Sequence, residues 1–133
     1  MIGRLLVLVA TSALSLGAAY ALRDWFRSAR LPTRVDRRDL DVPDGRPALA
    51  LFTSPYCHEC QVALPILRQA SQAHDTNLVV IDARQRPDLL AKYAIRATPT
   101  ILVVDGTGGV TAGWHTSPSE QQLAAAVGVL VEA

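Results

Sequence analysis

An uncharged run of 18 residues from Leu5 to Leu22 restricts the fold of this chain more than any other feature. As a helix it would extend roughly 27 Å at 1.5 Å per residue, which is enough to cross the hydrocarbon core of a bilayer. It is apolar on all sides, so it does not suit the surface of a soluble domain. We therefore assign residues 1–23 to an N-terminal transmembrane anchor, which would contact membrane lipid and cross the cell membrane once.

A signal peptide is the alternative for the same run. Ala19-Tyr20-Ala21 satisfies the small-x-small pattern of a cleavage site. The run is longer than the usual apolar region of a signal peptide, about 7–15 residues, and this favours a retained anchor or an uncleaved signal.

Two indications about the side of the membrane oppose each other. Arginines follow the run at Arg23, Arg27, Arg30 and Arg34, whereas only Arg4 and the terminal amine precede it. Positive charge collects on the cytoplasmic side, so this distribution favours a cytoplasmic domain. An N-terminal anchor usually serves export, which favours an extracytoplasmic one, and both sides stay open.

Residues 24–46 are predicted to form a charged tether, and residues 47–133 the folded domain. From Arg30 to Arg46 the charges alternate in sign, two prolines interrupt the chain and apolar residues are few. The whole chain of 133 residues is long enough for one small domain and an extra segment. Its net charge is +1, aromatic residues make up 5% of the chain, and no stretch interleaves basic residues with aromatic ones. No nucleic-acid partner is therefore expected.

Residues 47–133 alternate strand patterns with helical patterns. Strands are predicted over Pro47–Thr53, Leu78–Ala83, Thr100–Val104 and Val110–Trp114. Helices are predicted over Cys57–His74, from Pro87, and from a capping box at Ser117–Glu120. The buried stripe of the first of these helices is predicted to be Val62, Leu64, Ile66, Leu67 and Ala70. This order indicates an α/β fold with a mixed central sheet and helices on both faces.

The only cysteines, Cys57 and Cys60, lie in the stretch Pro-Tyr-Cys-His-Glu-Cys between the first strand and its helix. A thiol at a helix N-terminus is near unsatisfied N–H groups, which favour the nucleophilic thiolate. Cys60 follows one turn later on the same helix face. A redox pair is one interpretation. A non-enzymatic binding or metal-delivery module, holding Zn or Cu(I) through the same thiolates, is the other.

A second motif makes the pattern specific. Tyr93–Thr100 reads YAIRATPT, which closely resembles the Y-G-I-x-x-x-P-T segment of the thioredoxin family. Tyr56 precedes Cys57 where that family usually has Trp, and Pro65 matches its kinked active-site helix. The likeness covers about residues 47–131 and implies a thioredoxin-like fold after the single transmembrane helix.

The resemblance implies thiol–disulfide exchange on protein dithiols and disulfides, with Cys57 as nucleophile and Cys60 as resolving thiol. It implies a cis bond before Pro99, with Tyr56, Thr98 and Pro99 in substrate binding. No cofactor or bound metal is expected, but a redox partner has to recycle the cysteine pair.

Several positions depart from the family. His58 and Glu59 replace the usual Gly-Pro, and they are expected to shift the pKa of Cys57 in opposite directions. Leu51 stands where the family has a buried acid, and Val80 where a lysine often accompanies it, so assisted proton transfer at the buried cysteine is in doubt. The family's first strand and helix are expected to be reduced or absent.

Overall fold

The structure is a computed structural model that describes residues 1–27, 30–42 and 45–131, and it divides into the units Met1–Arg30 and Leu31–Ala133. The first unit contains one helix, α1 (Ile2–Arg27). Within the described residues, Ile2–Arg23 is the one stretch long and apolar enough to cross a membrane, a property that signal sequences share.

The second unit contains every strand and helix that the sequence predicts for residues 47–133. In chain order these are β1 (Ala48–Thr53), α2 (His58–Ala73), β2 (Asn77–Asp82), α3 (Pro87–Lys92), β3 (Thr100–Val104), β4 (Val110–Trp114) and α4 (Glu120–Val131). The strands form one sheet in the order β2-β1-β3-β4. β1 runs parallel to β2 and antiparallel to β3, and β3 pairs antiparallel with β4. The predicted mixed sheet is confirmed.

The core lies on both faces of this sheet because the side chains of β1 alternate in direction. Leu49 and Leu51 pack against α2 and α4, in a cluster with Leu67 and Leu123. Alternate residues of β1, including the fully buried Phe52, face the other cluster. That cluster contains Leu89, Tyr93, Ile95, Val35, Leu40 and Val42.

The segment Leu31–Val42 differs from the predicted tether, because it is part of the folded unit. Val35, Leu40 and Val42 are buried, and the Val35 N–H donates to the Gly108 carbonyl at 2.8 Å. The sequence hides this packing, since the apolar side chains are sparse and follow no period, and each meets partners far along the chain. Residues 28, 29, 43 and 44 of the predicted tether lie outside the described residues.

Local details also differ from the sequence-based predictions at two helices. The capping box of α4 uses Ser119, whose hydroxyl accepts the Gln122 N–H at 3.1 Å while the Gln122 side chain accepts the Ser119 N–H at 3.0 Å. It does not use Ser117, because the helix begins at Glu120. In α2 the predicted stripe is wrong at Val62, which is 48% exposed, while Ala63 is buried. The other predicted residues pack against the cluster under the helix, Leu67 fully buried and Leu64, Ile66 and Ala70 partly so.

Candidate active site

Cys57 and Cys60 lie at the junction of β1 and α2. Cys57 is the N-cap of α2, and its Sγ accepts the Cys60 N–H at 3.1 Å. The two residues form a disulfide with their Cα atoms 5.3 Å apart. Cys60 is 2% exposed, whereas Cys57 is partly exposed, so Cys57 is the sulfur that an incoming group reaches more easily.

The backbone around Cys57 is arranged to stabilise negative charge on its sulfur once the disulfide is reduced. The N–H that points at this sulfur belongs to the first turn of a 16-residue helix, where the helix dipole is positive. Such a position favours a thiolate over a thiol.

The Thr98–Pro99 loop reaches the same end of the sheet. Its peptide bond is cis, as the family resemblance implies, and Pro99 is buried. β3 begins directly afterwards, with Thr100 paired to Phe52 near the end of β1. The loop before β3 and the loop after β1 are therefore neighbours.

A side-chain contact holds these two loops together. The Ser54 and Thr98 hydroxyl oxygens are 3.2 Å apart, although the residues are 44 positions apart in sequence. Sequence reasoning missed Ser54. Ser54 is brought to the site by the pairing of β1 with β3, which the residues around Ser54 do not reveal.

The remaining predicted site residues are on the surface of this region. Tyr56 is 92% exposed, and His58 and Glu59 are exposed in the first turn of α2. Among the residues that the structure describes, their side chains have no hydrogen-bond or ion-pair partner. They are accessible to a docked protein and to solvent.

Two of the positions that depart from the family, Leu51 and Val80, carry apolar side chains among apolar neighbours or at the surface. Leu51 is 1% exposed within the cluster under α2 and α4, and it pairs in register with Val80 of β2. Val80 is 47% exposed at the side of the sheet. Neither side chain offers a proton donor or acceptor.

Within the described residues, no cluster of potential ligands supports the metal-binding interpretation. Across residues 1–27, 30–42 and 45–131, no group of three or more His, Cys, Asp or Glu side chains is placed to hold a metal ion. His115 instead lies with its Nδ1 3.4 Å from the hydroxyl of the buried Thr100.

Together these features define a class of protein: a thioredoxin-like α/β domain with a dithiol–disulfide pair at a helix N-terminus and a cis-proline on the adjoining loop. Comparison with known proteins agrees. The family model described as Thioredoxin matches residues 37–127, and the chain belongs to the thioredoxin family.

Individual relatives are more distant. The chain is 36% identical to thioredoxin Y2 of the Arabidopsis thaliana chloroplast over 83 residues, which is 60% of this chain and 50% of the relative. It is 29% identical to a thioredoxin of Synechocystis sp. over 69 residues, 50% of this chain and 64% of the relative. The chain thus spans about half to two thirds of the length of these curated relatives. The fold is similar to that of a mutant thioredoxin from Halobacterium salinarum, with a TM-score of 0.65, 21% identity and coverage of 77% and 91% of the two chains.

Proposed function

We propose that this chain is a membrane-tethered thiol–disulfide oxidoreductase that acts on protein dithiols and disulfides. The observation that carries the proposal is the unequal exposure of the cysteines. A partly exposed Cys57 caps α2, and a buried Cys60 lies one turn further on. Membership of the thioredoxin family and the neighbouring Thr98–Pro99 loop support it.

The exchange needs no group beyond the two thiols and the substrate. The Cys57 thiolate attacks a substrate disulfide, so that a Cys57–substrate bond forms while the substrate S–S bond breaks and its second sulfur leaves as a thiolate. The Cys60 thiolate then attacks the Cys57 sulfur, which forms the Cys57–Cys60 disulfide and releases the first substrate sulfur as a thiolate. Two electrons pass to the substrate and solvent protonates its thiolates; the reverse sequence oxidises a dithiol.

Substrate docking is assigned to the loop beside the cysteines. Pro99 has no N–H, and the backbone of Thr98 precedes it next to the active-site loop. An extended substrate segment can pair there through main-chain hydrogen bonds. The exposed ring of Tyr56 adds an apolar contact surface next to the nucleophile.

The membrane anchor is assigned to α1, in which three hydroxyl groups are satisfied without water. The hydroxyls of Thr11, Ser12 and Ser15 each donate to a carbonyl one turn earlier, at 2.9, 2.6 and 2.7 Å. A helix with such internal bonds leaves few polar groups unpaired in hydrocarbon. A protease-protection assay on sealed membrane vesicles of known orientation would establish the side on which the domain lies.

The test uses the full chain in detergent and two matched variants, Cys57→Ser and Cys60→Ser. Both should lose the ability to reduce insulin disulfides. Only C60S should accumulate a covalent adduct with a protein disulfide substrate, because its Cys57 can still attack but nothing releases the product. An active C57S, or adducts in both variants, would contradict the assignment.

The direction of electron flow follows from the reduction potential of the pair, measured by equilibration with glutathione. A potential near the cytosolic glutathione poise indicates a reductase, and one well above it an oxidase. An inactive wild-type protein that retains stoichiometric zinc or copper after purification would instead favour the metal-delivery function.

A further inference from the structure

The two edges of the sheet are covered unequally. Alongside β4, the Val110 N–H donates to the Thr33 carbonyl at 2.9 Å, and the side chain of Leu31 packs over Gly113. Along β2, no strand within the described residues pairs with the outer edge. Among the described residues, the segment before β1 thus protects one edge of the sheet and leaves the other open.

The backbone bonds of β2 identify which groups point outward. The Asn77 N–H donates to the Pro47 carbonyl at 3.0 Å, and the Ala83 N–H to the Thr53 carbonyl at 2.8 Å. Because successive residues of a strand alternate, odd-numbered residues bond to β1, and the N–H and C=O of Leu78 and Val80 point away from it.

The outer edge of β2 has few of the features that usually prevent pairing, and its one charged residue is Asp82 at the end of the strand. Its sequence, NLVVID, contains no lysine or proline, and its register with β1 is continuous from Asn77 to Asp82. Val80, in the middle of the strand, is an apolar side chain that is 47% exposed. An edge of this kind is a template for another strand.

Charges at the two ends of β2 indicate which strand fits. The side chain of Asp75, before the strand, is 88% exposed although it contacts Arg46, and that of Arg84, after the strand, is 65% exposed although it lies 3.9 Å from Asp82. If two copies of β2 pair antiparallel, Arg84 of each copy lies near Asp75 of the other. A parallel pairing would put like charges together.

We propose that β2 pairs antiparallel with β2 of a second copy of this chain, with Val80 on the two-fold axis. Val80 of each copy then exchanges both backbone hydrogen bonds with Val80 of the other, and the Asp82 N–H faces the Leu78 carbonyl. The two sheets become one continuous sheet through an isologous contact. Because β1 is parallel to β2 and Cys57 follows β1, the two cysteine pairs lie at opposite ends of the joined strands and stay accessible.

The test measures the association of the full chain in detergent by sedimentation over a range of protein concentrations. Val80→Lys places like charges opposite each other, and we expect the dimer dissociation constant to rise about tenfold. Val62→Lys is the matched control, since Val62 is equally exposed at 48% but lies on α2. It should leave the dissociation constant unchanged.

Complementary charges test the symmetry of the contact. At a concentration a few times the wild-type dissociation constant, V80K and V80E should each be mainly monomeric alone, whereas their mixture should form a heterodimer, because residue 80 of one copy faces residue 80 of the other. If V80K does not fold, Arg84→Glu at an exposed position serves instead, and it should raise the dissociation constant roughly threefold.

A wild-type chain that stays monomeric at about 100 μM, well above the roughly micromolar affinity expected for a weak contact, overturns the proposal. So does a dimer that V80K and R84E leave intact, since its contact would then lie elsewhere, for example in α1. A dimer that V62K disrupts as strongly as V80K, or a mixture of V80K and V80E that fails to associate, also overturns it. None of these outcomes depends on redox activity.

Discussion

Tyr93 fastens the segment before β1 to the end of α3, and removing its hydroxyl should loosen the domain measurably. The Asp36 N–H donates to the Tyr93 hydroxyl oxygen at 2.9 Å, and the hydroxyl donates to the Asp39 carboxylate. Lys92 donates to the same carboxylate oxygen at 2.7 Å. In Tyr93→Phe, the backbone N–H of Asp36 loses its hydrogen-bond acceptor, and the carboxylate of Asp39 loses one of its two hydrogen-bond donors.

The expected loss follows from these two bonds. A neutral hydrogen bond contributes about 0.5–1.5 kcal/mol and one to a charged group about 1.5–3 kcal/mol. Asp39 keeps Lys92 and is 21% exposed to water, which offsets part of the second bond. We expect the free energy of unfolding to fall by about 2 kcal/mol, which corresponds to a melting temperature lower by roughly 10 °C for a domain of this size.

The assay is thermal and urea unfolding of the full chain in detergent, with Tyr56→Phe as the matched control. Tyr56 is 92% exposed, so Y56F should change the free energy of unfolding by less than about 0.5 kcal/mol. If Y93F is no less stable than Y56F, the hydroxyl of Tyr93 does not fasten this segment, and the reasoning is refuted.

The pH dependence gives a second readout of the same contact. Hydrogen bonds from Lys92 and then Tyr93 hold the pKa of Asp39 below its ordinary value. A lowered carboxyl pKa stabilises the fold fully above the unfolded pKa of about 3.9, and this stabilisation is lost as the pH falls through the folded pKa. With one donor removed, Y93F should lose less of its stability in that acid range than the wild type does.

Two further predictions concern α2 and α4. His58→Ala should raise the pKa of Cys57 in the reduced protein, because a positive charge on the residue that follows Cys57 would favour the thiolate. Ultraviolet absorbance of the thiolate against pH measures this, and an unchanged pKa would reject a tuning role. Ser119→Ala should lower the free energy of unfolding by about 1 kcal/mol, since its hydroxyl accepts the Gln122 N–H at 3.1 Å. Ser117→Ala, which removes a buried hydroxyl without a partner among the described residues, should cost nothing by comparison, and equal losses in the two variants would contradict the observed cap.

The parts of this molecule that depend on local pattern could be predicted from the sequence. The apolar run PALALFT predicts the central strand β1, and the motifs around Cys57 and Pro99 predict the position of the site and its cis bond. Neighbouring residues carry the signal for the strand and for the helix start, because strand alternation and helix capping act over a few positions. The cis bond follows instead from the resemblance of YAIRATPT to the family segment.

Contacts between distant positions could not be predicted in the same way. Val35 is buried only because its backbone N–H donates to Gly108 in the β3–β4 hairpin. Ser54 contacts Thr98 only because β1 and β3 pair. Nothing in the local composition of either residue distinguishes it from a linker or loop residue. The choice of Ser119 over Ser117 depends on where the last strand leaves the sheet, which local pattern leaves undefined.

The way in which residues 31–42 are attached also decides how the domain responds to mechanical force. Tension on the chain at Leu31 acts first on the backbone hydrogen bonds that join Thr33 to Val110 and Val35 to Gly108. It acts next on the contact between Asp36 and Tyr93. The chain from Tyr93 runs directly to the Thr98–Pro99 loop, whereas α2 packs on the opposite face of the sheet. A pull from the N-terminal side would therefore deform the loop next to the cysteines before it strains the helix that carries them.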